Sequence, residues 1–367
     1  MSGGTCRWLR RAGLNLMLVG GLLLVEGGPA AMPGHGIHDG GGALRAALSV
    51  GGVSNARVAS VVALPSTVIA SAPKGADSGR TESVEVVPAD ASVAEAVSIR
   101  DDLGRLVKVP ARVDRVVSLS PALTESVCAL DACGHLVGVD RYSNWPASVQ
   151  KLPKLGSLNG FNIEAVTALR PDLVLAPNDP HLLTSLQRLG LKVLVLMPER
   201  YADIAGVLQR VGQVLGLPAE RAENRWQSIE AGMSELAASM PTAAQRLRTY
   251  VEVDPTPYVA GPDSFIGEML QRLSLKNVVG ERGRAFLPIS REWVLQADPD
   301  LMMVGDPGRV GLEALKARPG WRRLRALRTG RVCQFSGEAL DTMVRPGPRV
   351  VEGARRMRDC AVRHVPE

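Results

Sequence analysis

From Val116 to the C-terminal region, apolar residues alternate between short unbroken runs and longer stretches with helical spacing. RVVSLS, LVGVD, DLVLA and KVLVLM are apolar throughout and too short for helices, which predicts strands buried on both faces of a parallel sheet. Between them lie PALTESVCAL, NIEAVTAL and HLLTSLQRLG, whose apolar positions recur at helical spacing. Pro121 fits the first turn of the first of these helices, Thr124 and Glu125 lie near its positive end, and Gly190 closes the third. Ahead of them, SIRDDLGRLVKVP reads as two short strands turned at Asp101–Gly104. This alternation predicts an α/β lobe over 98–200 whose loops at the strand ends face a ligand.

The next stretch, 201–241, is helical. Tyr201–Leu215 ends at Gly216, and Pro218 opens a second helix, AERAENRWQSIEAGMSELAASM, with no proline and one glycine. About 22 residues of helix would reach roughly 33 Å, enough for a stiff strut between two lobes. After Pro241 the pattern restarts over 242–367: strand RTYVEV, a loop through Tyr258, helix Ser264–Leu273, a loop to Pro288, helix SREWVLQ, strand DLMMVG and a final helix Pro348–His364. The predicted fold is two Rossmann-like α/β lobes with parallel sheets, joined by a single long backbone helix. The most informative loop is Arg141–Glu164, RYSNWPASVQKLPKLGSLNGFNIE, which inserts aromatics, a proline turn and an Asn-Gly turn between strand and helix.

Composition narrows the function. Aromatics are 4% of the chain, so each Tyr, Trp and Phe is informative, and 46% apolar residues suffice for real cores. Arg7, Arg10 and Arg11 precede an apolar run from Ala12 to Val25 and small residues at Gly27–Ala31, the form of a cleaved secretory signal peptide over 1–31. Its removal takes +2 of the formal +6 charge and leaves +4. Cys6 lies ahead of the apolar run, where a lipid-bearing cysteine would not be. The Gly/Ala/Ser-rich segment 32–97 reads as a disordered tether, and GHGIHDGGG within it (His35, His38, Asp39) as a polar tail. Arg318–Arg331, with six arginines interrupted by Trp321, Leu324 and Leu327, fits one amphipathic surface helix, and no nucleic-acid module accompanies it.

Cys128, Cys133, Cys333 and Cys360 allow three disulfide pairings. Cys333 with Cys360 is plausible within the last strand–helix unit. Cys128 and Cys133, around a helix end, read as free buried thiols, and no metal site is expected. No P-loop, GxSxG elbow, HExxH or His/Asp/Ser grouping marks an enzyme.

RVVSLSPALTE, NGFNIEAVTALRPDLVLA, SREWVLQADPDLMMVG, RPGW and RPGPRVVEG together resemble the periplasmic solute-binding proteins of the helical-backbone type, the class III receptors of metal-chelate ABC importers. The likeness covers about Ser98 to Val362 and is greatest to the cobalamin-binding branch. It implies a monomeric periplasmic receptor with no catalytic residues, no cofactor and no nucleic-acid partner. Such a receptor holds cobalamin or another corrinoid in the interlobe cleft and delivers it to an ABC permease dimer in the inner membrane. On the resemblance, Tyr142 is the first-lobe aromatic, Tyr258 and Phe286 are second-lobe aromatics, and Asp341 with Arg345, four residues apart near a helix start, is an acid–base pair hydrogen-bonding the ligand. Trp145 would compensate for Leu158 and Pro177, which stand where that branch has tryptophans. Leu273 replaces a bridging cysteine of that branch, so Cys360 needs another partner or stays free. Glu164 and Glu292, one per lobe in the first turn of a helix, match the glutamates that dock on permease arginines. The alternatives are an iron-siderophore or haem receptor of the same fold, an exported α/β enzyme, and a sensor or scaffold that has lost its ligand.

Overall fold

The computed structural model describes residues 96–254, 258–280, 284–306 and 311–365. The expected signal peptide lies outside these residues, as does nearly all of the tether. Val97, assigned to the tether from sequence, belongs to the first strand.

Strands β1 (Val97–Arg100) and β2 (Leu106–Val109) form an antiparallel hairpin, as the sequence predicts. There follow β3 (Val116–Ser118), α1 (Pro121–Ala129), β4 (Leu136–Val139), the two-residue strands β5 (Gly156–Ser157) and β6 (Gly160–Phe161), α2 (Ile163–Ala168), β7 (Leu173–Ala176), α3 (Pro180–Arg188) and β8 (Val193–Val195). The first lobe's sheet is wholly parallel, in the order β4-β3-β7-β8. Helices α4 (Asp203–Val214) and α5 (Ala219–Ala238) lead to the second lobe.

The second lobe holds β9 (Arg248–Asp254), β10 (Tyr258–Ala260), α6 (Phe265–Arg272), β11 (Lys276–Asn277), β12 (Phe286–Pro288), α7 (Arg291–Ala297), β13 (Leu301–Gly305), α8 (Leu312–Ala317), α9 (Arg325–Arg328), β14 (Val332–Phe335), α10 (Glu338–Val344) and α11 (Val350–Arg363). Its sheet corrects the expectation of two parallel sheets. β9, β11, β13 and β14 pair in parallel, but β10 and β12 run antiparallel along the path β12-β10-β9-β13-β14. Tyr258 and Phe286, read as loop residues, therefore lie in strands: Phe286 in the edge strand β12 and Tyr258 in its neighbour β10. Three-residue strands carry too little periodicity to be told from loops.

Residues on alternate faces of these strands enter different cores, as strand geometry requires. Val116, Leu175 and Leu194 of the first sheet, Ile204 and Val211 of α4, Ile229 and Met233 of α5, and Val251 and Met303 of the second sheet belong to one continuous apolar core. Val117, Val174 and Leu186 build a smaller core on the other face of the first sheet, and Tyr250, Val304 and Trp321 do so on the second. Helix α5 behaves as a strut. At one end Arg221 donates to the Leu130 carbonyl of the first lobe at 3.2 Å, and farther along Glu230 pairs with Arg272 of α6 at 3.4 Å.

A pseudo-repeat is visible at the level of atoms. Asn162 accepts from the Ala165 N–H to cap α2, and Ser290 accepts from the Trp293 N–H to cap α7. Arg115, just before β3, donates to the Leu169 carbonyl at the end of α2, as Arg248 of β9 does to Ala297 at the end of α7. Asp172 and Asp300 accept from the main-chain N–H groups of those same two arginines.

Two further sequence readings are corrected. Arg318–Arg331 is not one helix: Gly320 takes a left-handed φ of 79°, a 3-10 turn covers Trp321–Arg323, and Leu324 is extended before α9. Trp321, Leu324 and Leu327 are buried and Arg318 is paired with the buried Glu252 at 2.7 Å, while Arg322, Arg323, Arg325 and Arg328 are exposed, so the run packs one side inward and keeps the expected solvated face on the other. Cys128 and Cys133 are bridged, not free. Asp131, with φ of 55°, turns the chain back at the end of α1 and brings their Cα atoms to 4.4 Å, within disulfide reach. Cys333 and Cys360 are also bridged, so the partner for Cys360 is in the same lobe.

Candidate functional site

In a parallel α/β sheet, ligands collect beyond the carboxyl ends of the strands. Here Ser120 follows β3, Asp140 follows β4 and Pro177 follows β7. These three line one small hollow with Leu119, Tyr142, Ser157, Leu158 and Phe161. Tyr142 thus meets Leu158 and Pro177, the two positions noted for lacking tryptophan. Phe161, not selected from sequence, supplies an aromatic surface there. Its signal was available: it follows Gly160 just after the Leu158–Asn159 turn that joins β5 to β6, and the chain has only four phenylalanines. The hollow is about 10 Å³, space for roughly one water.

Asp140 fixes the loop that carries Tyr142. Its carboxylate accepts from the Tyr142 main-chain N–H at 2.8 Å and from the Ser143 hydroxyl, and Lys154 holds the Ser143 carbonyl at 2.6 Å. The Ser143 hydroxyl lies 2.8 Å from that of Thr124 on α1, which is 2.9 Å from Ser118 on β3. Burial pushes the Asp140 carboxyl up to about 6, against the opposing effects of the Ser143 and Tyr142 hydrogen bonds and the Arg345 and Lys154 charges. The folded value exceeds the unfolded one of about 3.9, so the folded state holds more protons between them. Stability contributed by protonated Asp140 is therefore present below about pH 4 and lost as pH rises through about 6, on the order of 3 kcal/mol in all. Urea unfolding of wild type and Asp140→Asn at pH 4.5 and 7 reads this directly. Wild type is expected to lose ground to the variant as pH rises; a difference independent of pH rules the assignment out.

Asp341 and Arg345 come together as the sequence indicated, but Arg345 caps the end of α10 rather than lying at a helix start. Arg345 is 5% exposed and reaches into the first lobe. One of its Nη atoms lies 2.8 Å from Glu125 of α1 and 2.8 Å from the Asn144 side-chain oxygen, and the other donates to the Tyr142 carbonyl at 3.0 Å. Asn144 in turn donates its side-chain amide to Asp341 at 2.8 Å. Glu125 is 1% exposed; burial raises its carboxyl above the ordinary range, while Arg345 and, at 3.9 Å, Arg349 act the other way. Arg349 also pairs with Glu338 and Glu352 and lies over the Trp145 ring, 4.7 Å from its centroid. Trp145 is thereby tied to this charged cluster and is absent from the lining of the hollow beside Tyr142. Glu125, Asn144 and Arg349 were not selected from sequence. A single carboxylate in an otherwise apolar helix, SPALTESVCAL, was the one available sign.

On the second lobe, Ala260 and Phe286 are directly opposed across β10 and β12, and Tyr258 shares their face one pair away. Both rings are half-buried against the main core, and Phe286 packs on Phe265 with centroids 6.3 Å apart. Glu164 and Glu292 each occupy the second position of a short capped helix, one per lobe, and both are exposed. The main-chain N–H of Glu292 and the Ser290 hydroxyl hold the Glu292 carboxyl below its ordinary value. Among the described residues, the one grouping of three metal-capable side chains is Cys333, Cys360 and His364, away from this site.

Residues 116–338, well over half the chain, match the family model described as periplasmic binding protein. The chain is 26% identical over 291 residues to an uncharacterised ABC transporter substrate-binding lipoprotein of Bacillus subtilis, covering 77% of this chain and 88% of that one. It is 29% identical over 207 residues to a vitamin B12-binding protein of Yersinia pestis, covering 54% of this chain and 72% of the relative. Among solved structures, a periplasmic haem-binding protein from Pseudomonas aeruginosa superposes with a TM-score of 0.58 at 26% identity, over 69% of this chain and 94% of that one. With two α/β lobes braced by α5 and a hollow at the carboxyl ends of the first lobe's strands, the chain belongs to the periplasmic binding protein family.

Proposed function

We propose that this protein is the extracytoplasmic receptor of an ABC importer, and that it binds a corrinoid of the cobalamin type between its lobes. The observation that carries this reading is the fork made by Asp341 and Arg345. It holds one primary carboxamide, that of Asn144, from both sides, donating to its oxygen at 2.8 Å and accepting from its nitrogen at 2.8 Å. A corrinoid carries primary amides around its rim, so a fork of this kind addresses a rim amide by exchanging it for Asn144. Tyr142 and Phe161 then cover the macrocycle from the first lobe, and Tyr258 and Phe286 from the second, as flat apolar rings suit a flat apolar ligand. The hollow is too small to enclose a macrocycle, which would lie across its rim.

Haem is the competing ligand, with Tyr142 or Tyr258 as a candidate iron ligand. Haem carries carboxylates where a corrinoid carries amides, and a carboxylate against Asp341 meets like charge at short range. Ferric siderophores usually call for arginines open to the ligand, whereas Arg345 and Arg349 are buried among Glu125, Asp341, Glu338 and Glu352. Binding and release are the whole of the activity; no bond is made or broken. In this reading 1–31 is a cleaved leader, 32–96 a tether, and the partner is a permease dimer in the inner membrane, approached by a monomeric receptor. Membrane attachment is the competing arrangement at the N-terminus, since the Bacillus subtilis relative is named a lipoprotein.

Titration of purified protein with cyanocobalamin, haemin and a ferric hydroxamate, followed by absorbance and calorimetry, tests the assignment. Saturable one-to-one binding of cyanocobalamin, weakened at least tenfold in Asp341→Ala, is the expected result. Tight binding of either iron ligand with none of cyanocobalamin overturns it.

A further inference from the structure

Cys360 lies in the last turn of α11 and His364 caps that helix four residues on, so the two side chains rise from one face of the helix end. Cys333 projects toward them from β14, with its Cα 6.1 Å from that of Cys360. The His364 Nε2 atom is 3.6 Å from the Cys333 sulfur, and the three ligand atoms all lie within 4.8 Å of one another. Both cysteines are buried and the imidazole is half-buried. We propose that Cys333, Cys360 and His364 form a metal site that is closed while the disulfide is intact and takes up a thiophilic divalent cation, of which Zn²⁺ is the natural member, once a dithiol opens the bridge.

The geometry favours this over a histidine that merely packs on the bridge. A tetrahedral zinc ion with Zn–S of about 2.3 Å and Zn–N of about 2.0–2.1 Å places sulfur and nitrogen about 3.5–3.6 Å apart. Cys333 and His364 already stand at 3.6 Å. The two sulfurs have to part, to about 3.7–3.8 Å for the same ion, and the Cys360 sulfur, within 4.8 Å of the His364 nitrogen, has to settle at the same distance from it as Cys333, both through side-chain rotation. Arg363 and Arg331 place positive charge near His364. The same positive surroundings favour thiolates once the bridge opens.

The chemistry balances in two steps. A dithiol gives two electrons and two protons to the Cys333–Cys360 bond, which becomes two thiols while the dithiol closes to its own disulfide. The cation then displaces one proton from each thiol, accepts the His364 lone pair as third ligand, and takes water as the fourth. The sequence hid this site because Cys333 is 27 residues from Cys360 and no CxxC pair announces it.

Cobalt(II) serves as the spectroscopic probe. The full chain is reduced with dithiothreitol, freed of reductant without oxygen, and titrated. Reduced wild type is expected to bind one cobalt per chain at this site, with thiolate charge-transfer and tetrahedral ligand-field absorption that zinc abolishes. His364→Gln should weaken cobalt binding at least tenfold, in line with loss of one ligand of three. The double substitution Cys128→Ser/Cys133→Ser should leave the signal in place, and the oxidised protein should give none. The inference is overturned if reduced wild type gives no tetrahedral cobalt signal, if His364→Gln leaves it unchanged, or if the Cys128/Cys133 variant removes it. His364 is at the partly exposed end of α11, so this variant tests the site even where Cys333→Ser does not fold.

Discussion

Arg345→Met is expected to destabilise the protein by about 3–5 kcal/mol, the cost of leaving a buried carboxylate without its cation. Glu125 is the group left behind. It is held between Arg345 at 2.8 Å and Arg349 at 3.9 Å, and Arg349 is already engaged by Glu338 and Glu352. Glu125 comes from α1 of the first lobe and Arg345 from the end of α10 in the second, so the pair is a latch across the lobes and not a contact within one. The paired substitution Glu125→Gln/Arg345→Met should recover much of the loss, because burying two neutral groups costs less than burying one unpaired charge. Denaturant unfolding of the four members of this cycle supplies the coupling energy. Additive effects, or a loss below about 1 kcal/mol in Arg345→Met, would show that the latch holds nothing. The same residue stands at the amide fork, so the variant should also lose cyanocobalamin affinity on the proposed reading.

Most of the architecture could be read from the chain, and the reasons are local. Apolar runs bounded by Pro121, Gly190, Gly216 and Pro218 marked the β/α alternation and the strut because these residues fix helix ends through their own backbone preferences. What escaped was set by distant partners. Strands β10 and β12 exist because β10 pairs with β9 and β12 pairs with β10, not because three residues of each prefer extension. The Arg318–Arg331 run had helical spacing, but Gly320 turns left-handed and Arg318 is drawn to Glu252, 66 residues earlier. The site divides in the same way. Tyr142 and the Asp341–Arg345 pair were visible because they lie in recognisable local words. Asn144, which completes the fork, is 197 residues from Asp341, and Glu125 is 220 from Arg345. No spacing rule links positions so far apart.

Replacing Glu164 and Glu292 together by Ala is expected to abolish transport while leaving cyanocobalamin affinity within about twofold. Each carboxylate sits one residue inside a helix whose cap is already made by another side chain, Asn162 in one case and Ser290 in the other. Neither glutamate is therefore needed to satisfy the helix end. The local contribution left is an interaction with the helix dipole, about 0.3–1 kcal/mol, and for Glu292 its exposed hydrogen bonds to its own main-chain N–H and the Ser290 hydroxyl, together too little to unfold the lobe. Both are exposed, and the pseudo-repeat places them at equivalent points of lobes braced by α5. On the proposed reading, two negative anchors set at a separation fixed by that strut orient the receptor on a permease that offers positive charge. Rim charges of this kind act chiefly on encounter, so transport by the wild type should also fall steeply with ionic strength. Uptake into vesicles holding the permease, measured beside ligand titrations of the same preparations, separates docking from binding. Undiminished uptake by the double variant would remove Glu164 and Glu292 from the docking surface. A parallel fall in affinity would assign them instead to the structure of the cleft.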